Sequence, residues 1–153
     1  MSSPAPTGGR RKGRELAMKL LYQVHLGGGT LDQACATFDE YQDAPDRVRG
    51  FGLELAKGVV DRRADVEAAL RESLTGWDLD RLAAIDSQLL RVAAYELLFC
   101  DDIPARVTID EAIEISRLYS TEESTKFVNG VLDAVASKHA ARKLAKGKGD
   151  VIQ

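Results

Sequence analysis

Four basic side chains fall within five positions, Arg10, Arg11, Lys12 and Arg14, and run directly into an apolar-periodic segment. Guanidinium and ammonium groups packed this densely suit a polyanion, because each can neutralise a phosphate. A second basic stretch, Lys138, Arg142, Lys143, Lys146 and Lys148, lies near the other end. Its residues fit either a polyanion contact or a solubilising tail. A third candidate is Lys126-Phe127, a cation beside an aromatic ring at the start of a helical segment. That pair suits a phosphate and a stacked base, although Phe127 fits core packing equally well.

Signatures of catalysis are missing from the sequence. His25 and His139 are the only histidines, and neither has a cysteine at metal-ligand spacing. There is no nucleophile elbow, phosphate loop, dinucleotide fingerprint or zinc-protease motif. Gly27-Gly28-Gly29 is followed by no Lys-Ser/Thr and reads as a turn. Asp101-Asp102 reads as an acidic helix-ending turn, and Cys100 as a small core residue. The expectation is a non-enzymatic protein with no metal and no cofactor.

The elements that must position the basic residues follow from composition and periodicity. A chain of 153 residues suits one domain. Aromatic residues make up 6% of it, too few to favour a β-sandwich, and no apolar run reaches a membrane span. With no secretory leader in Met1–Lys12 and only Cys35 and Cys100, the expected setting is a reduced cytoplasm. The net charge of −3 conceals an asymmetry: residues 1–25 and 137–153 each carry +4, and the stretch between them −11.

Helical spacing recurs along the chain. Residues 1–9 read as a flexible arm, 10–137 as the folded domain and 138–153 as a basic tail. Leu16, Leu20 and Val24 form the stripe of a first helix. Leu31–Tyr41 reads as a second helix, Pro45 opens a third, and a break at Arg62-Arg63 precedes a fourth that Gly76 ends. Trp77 is expected to cap the core over the next turn. Leu79–Cys100 is apolar over more than half its circumference and reads as the central, buried helix. Thr108–Glu111 and Ser120–Glu123 have the form of capping boxes. The last helix steps through Phe127, Val131 and Val135, where Asn129 is expected as a buried amide and Gly130 at a close helix approach. The sum is an all-α bundle of about seven helices.

Four segments together carry a resemblance: Gly13–Ala17 through Leu21-Tyr22-Gln23, Leu89–Leu97, Ile109–Glu114 and Lys126–Asp133. In order and spacing they resemble the NusB family over roughly residues 10–137. The resemblance implies two three-helix subdomains packed together. It also implies a transcription antitermination factor that binds boxA-type single-stranded leader RNA of ribosomal RNA operons. The implied partners are ribosomal protein NusE and, on RNA polymerase, NusA and NusG. Arg10, Arg11, Lys12 and Arg14 match the family's arginine-rich RNA-binding N-terminus, and Tyr22 matches an aromatic on the same helix. Asp86, Arg91, Glu111 and Glu123 become candidates for the NusE-facing surface. This chain departs from many relatives in having Thr125 where they have His, and Asp110 where they have Asn. Two rivals accompany this reading: a structural homodimeric helical module, and a detached RNA-binding domain of an RNA methyltransferase, which a chain ending at Gln153 leaves no room to complete.

Overall fold

The computed structural model describes the backbone of residues 6–152 and the side chains of residues 9–145. Among these the chain is entirely helical, with eight α-helices and one 3-10 turn. They are α1 (Pro6–Gly27), α2 (Leu31–Thr37), α3 (Asp39–Asp43), α4 (Asp46–Asp61), α5 (Arg63–Ser73), the 3-10 turn Leu79–Arg81, α6 (Ala84–Phe99), α7 (Ala105–Tyr119) and α8 (Glu122–Ile152). Among the described residues, no helix is long and apolar enough to cross a membrane.

Two apolar cores lie side by side. One joins Leu16, Leu20, Leu21, Leu55 and Val59 of α1 and α4 with Ala34 of α2. The other joins Leu70, Leu89, Leu90, Ile115, Val128 and Leu132 of α5–α8. α6 belongs to both, since Val92 enters the first core while Leu89, Leu90, Ala93 and Ala94 enter the second. This is the central helix expected from its all-round apolar pattern.

The helix ends correct several expectations. α1 begins at Pro6, so the expected arm retains only residues 1–5, which lie outside the described residues. The expected tail is the continuation of α8, although the side chains of Lys146 and Lys148 lie outside the described residues. Leu31–Tyr41 is broken at Phe38, whose backbone is extended. The true capping box there is Thr30 with Gln33. The apolar stretch from Leu79 is likewise interrupted, because Leu82 is extended and α6 starts only at Ala84. Thr108 is not a cap: Pro104 starts α7 a turn earlier, and the Thr108 hydroxyl turns inward. At α8 the cap is Thr121, whose hydroxyl accepts from the Ser124 amide at 3.0 Å. Trp77 does not close the core, being 62% exposed with its ring edge-to-face on Phe127 at 5.1 Å.

Close helix approach occurs elsewhere than at Gly130. α1 and α4 meet at Gly13 and Gly52, where a Cβ on Gly52 would lie 2.9 Å from the Gly13 carbonyl oxygen. A backbone atom cannot rotate aside, so only glycine fits. Gly130 is exposed, and a Cβ there would meet nothing within 4 Å among the described residues. Its neighbour Asn129 is half-exposed, and its side chain makes no hydrogen bond among them. Two opposite outcomes follow for urea denaturation. Gly52→Ala should destabilise by about 1–3 kcal/mol through overpacking. Gly130→Ala should stabilise by roughly 0.5–1 kcal/mol through helix propensity. Equal effects at both positions would contradict this packing.

Candidate nucleic-acid interface

The basic run at 10–14 sits on the second and third turns of α1, and the helix divides it. Arg14 is only 3% exposed. Its Nε and Nη2 donate to the two carboxylate oxygens of Glu96 on α6 at 2.6 and 2.9 Å. Thr108 of α7 donates to the same carboxylate at 3.0 Å. A buried guanidinium and carboxylate are tolerable only when paired and hydrogen-bonded, and this pair is both. Arg14 is therefore a correction to the expected RNA-binding set. It holds α1 against α6 and α7 and presents no donor to a ligand.

Arg11 is intermediate in role. Its Nε and Nη2 donate to Glu111 of α7 at 2.8 and 2.9 Å, while its side chain stays partly exposed. Glu111 is itself buried and also lies 3.9 Å from Nη1 of Arg14. The hydrogen bond from Arg11 holds the Glu111 carboxyl below its ordinary value of 4.5, against an opposing effect of burial.

Arg10 and Lys12 point outward. Both are exposed, and neither makes an ion pair among the described residues. The Arg10 guanidinium stacks near the Phe51 ring of α4, 5.2 Å from its centroid. Lys12 borders a groove that also holds Lys19 and Tyr119. Lys19 lies 5.1 Å over the Tyr119 ring, and the Tyr119 hydroxyl donates to buried Glu15 at 2.7 Å. Tyr22 is half-exposed, two turns beyond Arg14 on α1.

The remaining candidates are dispersed. Lys126 is exposed on the second turn of α8, and Phe127 is half-buried under Trp77. Asp86 and Glu111, expected on a protein-facing surface, are buried instead. Asp86 sits in the first turn of α6, 6% exposed, and its Oδ1 finds no hydrogen-bond partner among the described residues. Arg91 is half-buried and pairs with Glu67 of α5 at 3.2 Å. Glu123 alone of these four is exposed. Sequence reasoning overlooked Arg47 and Phe51, which α4 brings beside Arg10. The available signal was an arginine one turn ahead of a phenylalanine just after Pro45.

Among the described residues, no group of three or more His, Cys, Asp or Glu side chains could hold a metal. The Cys100 thiol is pushed up to about 11 by burial, which opposes a reactive thiolate.

Fold and edge together define a two-cored, all-helical binding module with a cationic face at the start of α1. A NusB family profile matches residues 11–137. The transcription antitermination protein NusB of Geobacter sulfurreducens is 40% identical over 131 residues, covering 85% of this chain and 95% of its own length. The protein of that name from Listeria monocytogenes is 40% identical over 127 residues, covering 83% and 95%. Among solved structures, NusB of T. maritima superposes with a TM-score of 0.76 at 35% identity, covering 94% of this chain and 97% of its own. A crystal structure of antitermination factors NusB and NusE in complex with dsRNA shares the fold, with a TM-score of 0.75 at 24% identity over 85% and 97%. The chain belongs to the NusB family.

The ion-pair network makes two stability predictions. Arg14→Ala leaves Glu96 buried without its partner and should cost about 3–5 kcal/mol in urea denaturation. Glu111 titrates lower when folded than when unfolded. Its contribution is therefore present above the ordinary carboxylate value of 4.5 and is lost as pH falls through the folded value. Glu111→Gln should thus lose less stability than the parent chain between pH 7 and pH 3.5. An unchanged pH dependence would remove Glu111 from the network.

Proposed function

We propose that this chain is a transcription antitermination factor that binds boxA-type single-stranded leader RNA together with ribosomal protein NusE. The observation that carries the reading is the exposed pair Arg10 and Lys12 near the start of α1, without ion-pair partners among the described residues, with Arg11 beside them. The relatives named for antitermination support it, as does the fold shared with the NusB–NusE–dsRNA complex. Phosphates engage Arg10 and Lys12 directly. Arg11 joins them by exchanging one carboxylate contact for a phosphate. Tyr22, Lys126 and Phe127 supply the stacking and the further cation along the strand. NusE meets a surface that includes Arg91 and Glu123. NusA, NusG and RNA polymerase complete the assembly, which works in the cytoplasm.

The burial of Arg14 changes the expected electrostatics. Four phosphate contacts would give a log–log salt slope of about −3 for a single strand, and three give about −2. Salt-titrated fluorescence anisotropy with a boxA-like RNA, a scrambled RNA, and NusE present or absent tests this. The expected result is a slope near −2, preference for the boxA-like strand, and tighter binding with NusE. Arg10→Ala with Lys12→Ala should abolish most of the slope while leaving the urea midpoint unchanged. Equal binding of both RNAs, with and without NusE, would remove the RNA role and favour a helical homodimer module.

A further inference from the structure

A notch of about 250 Å³ opens where the start of α1 meets the start of α4, lined by Gly9, Arg10, Arg47 and Phe51. Two guanidiniums from separate helices border it. Arg47 is exposed, and its side chain lies against Gly9, with Nε 3.5 Å from where a Cβ on that glycine would stand. Arg10 is braced by Phe51. Among the described residues, neither arginine makes an ion pair. The nearest acid on α4 in sequence is Asp46, and Arg49 already engages it. Two arginines sharing a small opening repel each other unless an anion lies between them. Stacking on an aromatic face leaves the in-plane N–H groups of a guanidinium free to donate.

We propose that Arg10 and Arg47 form a two-guanidinium phosphate clamp, and that the RNA backbone passes through it from α1 onto α4. The clamp rests on the RNA-binding reading above and extends its path to a helix outside the basic run. A phosphodiester fits the chemistry: it is a single anion with two free oxygens, and each arginine can supply a fork of donors. Phe51 keeps the Arg10 fork oriented, and the close α1–α4 approach at Gly13 and Gly52 sets the width of the opening.

The test compares Arg47→Ala with Arg106→Ala, a control on α7 whose side chain is 89% exposed. Salt-titrated anisotropy with the boxA-like RNA is read for the full chain. Arg47→Ala should weaken binding about tenfold, as expected for a lost charged hydrogen bond. Its salt slope should stay near the parent value, because Arg10 still neutralises the same phosphate, whereas Arg10→Ala with Arg47→Ala should flatten it by about 0.7, one single-strand phosphate contact. Arg106→Ala should change neither, and both variants should keep the parent unfolding midpoint. If the parent binds RNA and Arg47→Ala matches it in affinity, the clamp is overturned and the RNA reading survives. If the parent binds no RNA, the RNA reading and the proposed path both fail. Nitrogen-15 NMR of the arginine Nε–H groups, titrated with tripolyphosphate, then decides the notch by itself. Joint shifts of Arg10 and Arg47 would support a phosphate site, and their absence would overturn it.

Discussion

The orientation of α1 depends on one buried ion pair, Arg14 with Glu96. Neither charge can leave water alone without a cost of several kcal/mol, so each requires the other in one geometry. The fork of Arg14 fixes both the rotation of α1 and its height against α6. Thr108 donates a third hydrogen bond to the carboxylate and brings in α7. With 100° between successive helix positions, fixing Arg14 inward fixes its neighbours as well. Lys12 must then face solvent, Arg11 reaches Glu111 along one flank, and Arg10 emerges beyond the core at the edge of α4. A structural contact thus selects which of four similar cations remain available to a ligand.

The second constraint is steric. Gly13 and Gly52 let the α1 and α4 backbones approach closely, and Gly58 does the same for α4 against the Tyr95 ring of α6. α1 and α4 meet with little side chain between them, and α4 meets α6 across the Tyr95 ring. The consequence at the surface is that the first turn of α4 lies beside the first turns of α1. Phe51 and Arg47 thereby join an edge that the linear sequence assigns to α1 alone. Close packing and charge placement are therefore parts of one arrangement, since widening the α1–α4 contact would move the aromatic brace away from Arg10.

What was legible in the sequence follows from which signals are local. The central position of α6 was readable because an all-round apolar helix has one stable location. The family was readable from four spaced segments, because their order survives even where single positions drift. The division of the basic run was not readable: Arg10 and Arg14 are one turn apart and chemically identical, and only the distant Glu96 separates their roles. The expected partner-facing acids failed for a related reason. Asp86 and Glu111 look like surface residues by type, yet the first lies in a buried helix start and the second answers Arg11 across a hundred positions. Gly130 carried the wrong emphasis because a glycine in a helix signals close approach only when another helix is there. The informative glycines, Gly13 and Gly52, sat in segments without any other anomaly.

The distribution of compensated charge explains why binding is assigned to one end. Both termini carry +4. At the C-terminal end, Arg142 donates to the Glu72 carboxylate and Lys143 to Asp101, while Lys138 donates to the Glu72 carbonyl oxygen. Those cations are drawn back onto the body by its own acids, and a polyanion would have to displace them. At the N-terminal end, Arg14 and much of Arg11 are withdrawn in the same way, leaving Arg10, Lys12 and the neighbouring Arg47 without carboxylate partners among the described residues. The acidic middle then acts on a strand from both sides, repelling it from the body and confining it to this edge. So few uncompensated cations make a weak site by themselves. A second protein that contacts the same strand raises affinity through a high effective concentration rather than through new chemistry on this chain.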